Sequence, residues 1–179
     1  MSTPEFNPPD PQDPNRLLRF LGEVAPSNEP ARPVERVPML GVRVGTDSFA
    51  LDVSRVLEVS RPSTLTRVPA APEHVRGLMN LRGRILPVIE LSTRLGMPAA
   101  TETPSSRVVV AELRGRRIGL WIDEALGVIR PAREALAPPP TEVRSPLSEF
   151  VVATVPREAG VMLVLDLDEL LLLPVNPNS

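Results

Sequence analysis

The 179-residue chain contains no cysteine, no tyrosine, one tryptophan and one histidine. Without cysteine it forms no disulfide and has no thiolate to act as a nucleophile or metal ligand. The single imidazole, His74, has no second imidazole to join it, so we interpret it as an ordinary loop histidine and predict no metal site. Long apolar runs are also missing, and the opening residues MSTPEFNPPD lack the pattern of a signal peptide. We therefore expect a cytoplasmic protein that does not insert into the membrane.

An excess of positive charge is missing as well. The formal net charge is −2 at neutral pH, which leaves no large basic field to attract nucleic acid. Aromatic residues make up only 3% of the chain, whereas hydrophobic residues make up 42%. The core is therefore expected to be aliphatic, and proteins are the partners that this composition favours.

Motifs for catalysis are absent. The sequence has no glycine-rich phosphate loop, and no serine lies in the strand–turn–helix setting of a nucleophile elbow. Two acidic pairs, Asp123 with Glu124 and Asp166 with Asp168, are of a type that serves acid–base chemistry or binds a hard cation. The segment from Asp166 onward is nevertheless typical of a strand end followed by a capped helix. We predict that the protein is not an enzyme and holds no cofactor.

The first 36 residues differ from the rest of the chain. Residues 1–14 are mostly Pro, Asp, Asn and Gln, a composition that favours disorder. Asn15 is a suitable cap for a short helix over residues 16–24, which either docks on its own domain or serves as a docking peptide for a partner. We predict a flexible extension over 1–36 and a folded domain over 37–173.

Alternating apolar residues predict five strands in the first half of the domain. Their ranges are Met39–Val44, Ser48–Val53, Val56–Val59, Val75–Leu81 and Ile85–Leu91. Turns at Gly45 and Gly83 join four of these strands into two hairpins, with glycine where positive φ is needed. Five short strands are enough to close a small barrel.

The second half of the chain repeats this order. Val59–Pro62 matches Val128–Pro131 at a separation of 69 residues (130 − 61), and Ile85–Leu91 matches Val161–Leu167 at a separation of 76 (167 − 91). The larger separation places an insertion in the proline-rich connection after Ala137. We therefore predict two pseudo-repeated five-stranded barrels, over about 37–100 and 106–173, that can exchange strands and leave a groove for a partner between them.

Residues 65–91, LTRVPAAPEHVRGLMNLRGRILPVIEL, closely resemble the signature stretch of CheW-like chemotaxis coupling proteins. The specific features are Asn80-Leu81-Arg82-Gly83 and Pro87-Val88-Ile89-Glu90-Leu91 at this spacing. Further likeness lies in Val56–Val59, Ile122-Asp123 and Pro138–Pro140, and nearly the whole folded part is covered. The resemblance implies an all-β fold of two interlocked SH3-like barrels with short helices.

The resemblance also implies a non-catalytic scaffold, recruited to receptor arrays, that couples methyl-accepting chemoreceptors to a CheA-type histidine kinase. Family members bind the cytoplasmic tip of a chemoreceptor between the barrels and the regulatory domain of the CheA kinase through the first barrel. Carried over residue by residue, Arg82 matches a functional arginine of the family and Glu58 its acidic partner. Receptor contact is implied for three apolar positions: Val56, Val108 and Val128.

Two alternatives stay open on the sequence. The first is a paralogue that binds the receptor without engaging the kinase. The second is a small barrel that binds oligonucleotides, which requires a basic groove with stacking aromatics that this composition does not offer. Arg82 itself is either a functional side chain or half of a structural ion pair with Glu58.

The chain departs from the family pattern at a few positions. Glu90 stands where aspartate is usual, and Ser92 stands where arginine is common. Ala153 and Thr154 replace a glycine and a valine of the second barrel. The loss of that glycine puts the local backbone geometry in question.

Overall fold

The computed structural model describes residues 34–158 and 160–172. Within these ranges the chain forms eleven strands, namely β1 (Met39–Val44), β2 (Asp47–Asp52), β3 (Val56–Ser60), β4 (Leu65–Thr66), β5 (Val75–Leu81), β6 (Arg84–Glu90), β7 (Arg107–Leu113), β8 (Arg116–Ile122), β9 (Glu124–Ile129), β10 (Val151–Arg157) and β11 (Gly160–Leu165). Two short helices, α1 (Leu91–Arg94) and α2 (Leu167–Leu171), follow β6 and β11. The predicted helix over 16–24 lies outside the described residues.

The strands form two sheets. The five-stranded sheet has the order β10–β11–β2–β1–β9, and the six-stranded sheet has the order β3–β7–β8–β6–β5–β4. The β1–β2 hairpin of the first half pairs with β9 and β11, whereas the β7–β8 hairpin of the second half pairs with β3 and β6. Each sheet therefore needs strands from both halves of the chain.

The predicted all-β fold is confirmed, with one strand more than expected. β4 pairs with β5 and lies between the predicted strands Val56–Val59 and Val75–Leu81. Two residues are too few for apolar alternation to be recognised, so only the pairing itself reveals this strand.

The internal repeat is visible element by element. Val44 ends β1 and Leu113 ends β7 at a separation of 69 (113 − 44), while β5 and β10 begin 76 residues apart (151 − 75). The helices also lie 76 apart (167 − 91). Asp166 caps α2, because its Oδ1 accepts hydrogen bonds from the backbone N–H groups of Asp168 at 2.8 Å and Glu169 at 3.4 Å. The predicted capped helix is confirmed here.

A central core joins the two sheets and both helices. Its buried members include Val42, Phe49, Leu51, Ile89, Val109, Ile118, Leu120, Leu167 and Leu170. Arg94 of α1 donates hydrogen bonds to the backbone oxygens of Glu169, Leu170 and Leu172 at the end of α2. Because the last carbonyls of a helix lack helical partners, this arginine satisfies them and links the two helices.

β5 and β10 carry a β-bulge at the same position of the repeat. The pairing of β5 shifts between Val75 and Gly77, and that of β10 shifts between Val151 and Ala153. Gly77 has a φ of +152°, and a Cβ there would lie 2.7 Å from the carbonyl oxygen of Thr66. Ala153 is not among the described residues with positive φ. The alanine that replaces the family's glycine therefore keeps the bulge without a left-handed backbone.

Candidate partner-binding surfaces

The tip of the β5–β6 hairpin presents Arg82. Arg82 and Gly83 both have positive φ, 53° and 81°, as a type I′ turn requires. Oδ1 of Asn80 accepts a hydrogen bond from the backbone N–H of Gly83 at 2.9 Å, which holds the turn. An arginine in left-handed conformation costs roughly 1–2 kcal/mol. A costly residue kept in a turn points to a role for its side chain.

Arg82 forms an ion pair with Glu58 of β3, and 2.8 Å separates Nη2 from Oε2. The arginine side chain is 81% exposed and the glutamate side chain 25% exposed. The pair links β3 to the β5–β6 turn, although β3 is not next to β5 or β6 in the sheet. An exposed ion pair of this kind contributes only about 0–1 kcal/mol to stability. Because the Arg82 side chain is mostly exposed, a partner can contact it.

Matched apolar residues lie on β3, an edge strand of the six-stranded sheet, and on β9, an edge strand of the five-stranded sheet. The pairing of β3 with β7 skips Leu57, and the pairing of β9 with β1 skips Leu126, so each strand has a bulge there. The repeat superposes Leu57 on Leu126 (126 − 57 = 69) and Val59 on Val128 (128 − 59 = 69). These four side chains, the edge-strand set, are between 39% and 49% exposed. Bulges at sheet edges re-aim side chains, and clustered exposed apolar residues mark surfaces that partners cover.

The three valines predicted to contact a receptor lie in different environments. Val128 belongs to the edge-strand set, and Val56 is half-buried against the central core. Val108 is fully buried and packs with Met79 and Trp121. A side chain without exposed area offers nothing to a docked partner, so we assign Val108 to the core and not to the contact surface.

Sequence reasoning missed three members of the edge-strand set: Leu57, Val59 and Leu126. A signal was present, because the 69-residue repeat aligns both apolar pairs. Alternation alone assigns one face of a strand to the core and the other to solvent. It does not reveal a bulge, which shifts the face on which a side chain emerges.

A buried polar cluster surrounds Glu90, which is 7% exposed. Its Oε1 accepts hydrogen bonds from Arg76 Nη1 at 2.9 Å, from the backbone N–H of Ala100 at 2.6 Å and from Ser92 Oγ at 3.3 Å. The guanidinium carbon of Arg76 also lies 3.8 Å from the centroid of the Trp121 ring. Two of the four departures from the family pattern, Glu90 and Ser92, therefore contact each other. The cluster ties the connection between the two halves to the six-stranded sheet.

Three other acidic residues noted in the sequence, Asp123, Glu124 and Asp168, have structural partners. Asp123 accepts a hydrogen bond from the backbone N–H of Gly45 at 2.6 Å, and the neighbouring Glu124 pairs with Arg43. Asp168 forms an exposed ion pair with Arg55, and 3.1 Å separates the two charged groups. In the part of the chain that the structure describes, no three potential ligands converge to hold a metal ion, and no helix has the length and apolar character needed to cross a membrane.

His74 is half-buried in the loop before β5. Its Nε2 atom is buried and has no hydrogen-bond partner among residues 34–158 and 160–172. Desolvation lowers the pKa of His74, and the positive charge of Arg94 acts in the same direction. Because the folded pKa lies below the unfolded one, the unfolded chain binds more protons in this range. The contribution of neutral His74 to the free energy of unfolding is therefore fully present above the unfolded pKa, about 6.5. It is lost as the pH falls from there through the lower folded pKa.

Replacing His74 by glutamine is expected to remove most of the pH dependence of stability between about pH 5.5 and 7, because the chain has no other histidine. Urea unfolding at several pH values would give the free energy of unfolding of both proteins. For the unmodified protein this free energy should rise with pH, and for the variant it should be nearly constant. Equal slopes would show that another group titrates in this range.

Comparison with known proteins agrees with this fold. The family described as the CheW-like domain matches residues 38–173. The chemotaxis protein CheW of Rhizobium meliloti (strain 1021) is 29% identical over 130 residues, which cover 73% of this chain and 84% of that protein. A probable chemotaxis protein CheW of Rhizobium etli is 32% identical over 109 residues, which cover 61% of this chain and 70% of that protein. The crystal structure of the scaffolding protein TtCheW from Thermoanaerobacter tengcongensis matches with a TM-score of 0.70 and 28% identity, covering 79% of this chain and 94% of that one. The chain therefore belongs to the CheW-like family of chemotaxis adaptor proteins.

Proposed function

We propose that this protein is a non-catalytic scaffold that couples methyl-accepting chemoreceptors to a CheA-type histidine kinase at cytoplasmic receptor arrays. Membership of the CheW-like family supports this role. The observation that carries the proposal is the combination of a highly exposed Arg82, paired with Glu58, and the edge-strand set. Together they provide apolar area on β3 and β9 and a charged anchor at the β5–β6 turn.

The edge-strand set favours a helical partner over a β-strand. A regular edge strand presents a row of free backbone donors and acceptors, which another strand can pair with. The bulges at Leu57 and Leu126 interrupt that row. The leucines and valines instead offer side-chain area to the apolar face of a helix, at roughly 25 cal/mol per Å² buried. Such side-chain area suits the apolar face of a helical receptor hairpin.

Replacing Arg82 by asparagine is expected to weaken binding of a chemoreceptor cytoplasmic hairpin about tenfold or more, because a charged anchor is lost. Asparagine tolerates positive φ, so the turn is kept. The free energy of unfolding should change by less than about 1 kcal/mol, since the ion pair is exposed. Isothermal titration calorimetry would measure binding, and urea unfolding would measure stability.

The control is Arg157→Asn, which removes an exposed arginine at the end of β10. Equal weakening by both substitutions would mean that general charge, not Arg82, attracts the receptor. A loss of stability well above 1 kcal/mol in Arg82→Asn would assign the ion pair a structural role.

The same proteins should then be titrated with the regulatory domain of a CheA kinase. Binding to both receptor and kinase is the expected result for a coupling scaffold. Binding to the receptor alone would identify a paralogue that does not engage the kinase. Binding to neither would contradict the coupling role.

A further inference from the structure

One end of the six-stranded sheet is rich in arginine. Besides Arg82, four exposed arginines lie where the β5–β6 and β7–β8 hairpins turn, namely Arg84, Arg114, Arg116 and Arg117. The parallel pairing of β6 with β8 sets Val88 opposite Gly119, which brings Arg84 level with Gly115 (88 − 84 = 119 − 115). None of the four forms an ion pair with a residue in the ranges 34–158 and 160–172. We call these four residues the arginine-rich end.

A cleft of about 280 Å³ lies at this end. Arg84 and Arg117 both line it, and Glu112 is the one carboxylate among its lining residues. Ile85, also in the lining, is 71% exposed, more than any other large apolar side chain of the described residues. The cleft therefore combines an unpartnered apolar side chain with two guanidinium groups.

The second turn at this end repeats the strain seen at Arg82. Arg114 and Gly115 have φ values of 50° and 77°, the geometry of a type I′ turn. Asparagine, aspartate or glycine would occupy the first of these positions at lower cost. Strained residues persist where their side chains serve a function. This backbone observation, independent of the cleft, supports a binding role for the arginine-rich end.

We propose that the arginine-rich end binds an acidic segment of a partner protein that places an apolar side chain beside Ile85. Carboxylates of the partner would accept charge-assisted hydrogen bonds from Arg84 and Arg117. Nucleic acid fits less well, because the cleft lining holds no aromatic side chain for base stacking. The proposal does not rest on the proposed coupling role, since it involves neither Arg82 nor the edge-strand set.

Fluorescence anisotropy of the full chain with a labelled synthetic peptide tests this proposal. The peptide consists of glutamate and serine with one central leucine. The double substitution Arg84→Glu/Arg117→Glu is expected to weaken binding tenfold or more, about the effect of losing two charge contacts. Arg144→Glu/Arg157→Glu, at two exposed arginines elsewhere, changes the net charge equally and should leave binding within about twofold.

The apolar contact is tested separately. A peptide with glycine in place of leucine, and the Ile85→Ser protein with the original peptide, should each bind about tenfold more weakly, because one apolar contact is lost. If Arg84→Glu/Arg117→Glu and Arg144→Glu/Arg157→Glu weakened peptide binding equally, the proposal would be overturned. The peptide would then be attracted by the overall charge of the protein and not by the arginine-rich end. Equal affinity of the leucine and glycine peptides would overturn the apolar contact. Tighter binding of an oligothymidine than of the peptide would assign the surface to nucleic acid.

Discussion

Replacing Arg76 by alanine is expected to lower the free energy of unfolding by about 3–5 kcal/mol, the effect of breaking a buried ion pair. The Glu90 side chain is only 9% exposed, so it would stay buried and lose its cation. Its remaining partners, Ser92 and the backbone N–H of Ala100, are neutral donors. Trp121 would also lose the guanidinium stacked on its ring.

Urea unfolding followed by circular dichroism would measure this effect. The matched control is Arg55→Ala, which breaks an ion pair with Asp168 whose side chains are 51% and 47% exposed, and which should cost less than about 1 kcal/mol. The double variant Arg76→Leu/Glu90→Gln should recover most of the loss, because no unpaired charge remains buried. If Arg76→Ala cost no more than Arg55→Ala, the polar cluster would contribute no more than a surface pair.

The double substitution Leu126→Asp/Val128→Asp is expected to weaken binding of a chemoreceptor hairpin about a hundredfold or more. The two side chains are 42% and 49% exposed in the free protein. Binding can bury only the exposed half of each aliphatic side chain, so losing both contacts removes about 1.5–3 kcal/mol, and a hundredfold change corresponds to about 2.7 kcal/mol. Aspartate adds the cost of desolvating a carboxylate in the interface. Stability should change little, because both positions face solvent.

Val152→Asp provides the control for this loss of affinity. Val152 is 52% exposed and lies on β10, at the opposite edge of the same sheet from Val128. It matches Val128 in residue type and exposure, and it lies outside the edge-strand set. Calorimetric titration of both proteins with the receptor hairpin would compare them. A double variant that bound as tightly as the control would place the receptor contact elsewhere.

Features with a local cause could be predicted from the sequence. The ranges predicted for β1 and β5 agree with the structure, because alternation with a period of two depends only on neighbouring residues. The cap at Asp166 was predictable for the same reason, since the bonds of a cap reach only two or three residues along the chain. The internal repeat predicted equivalent elements in the two halves, and every strand of the first half except β4 has a counterpart in the second.

The candidate surfaces depend on contacts between residues that are far apart in the sequence. Such contacts are harder to predict from the sequence than local structure is. Alternation gave no sign that Leu57 and Leu126 would lie unpaired at bulges and stay exposed. Val108 matched a contact position by resemblance, but packing around Trp121 buries it completely. The cleft between Arg84 and Arg117 arises from the pairing of β6 with β8, which joins the two halves of the chain.

The sequence by itself determined every strand except β4, the turns, the repeat and the family to which the chain belongs, because each is encoded in the spacing of residues along the chain. Only the tertiary structure decided which hairpins pair across the halves and which apolar side chains remain exposed. It also brought Arg76 onto Glu90 and the two arginine-bearing turns together. The exposure of a side chain and the pairing of a strand depend on the residues that pack against them from distant parts of the chain. The local spacing of residues does not specify these neighbours.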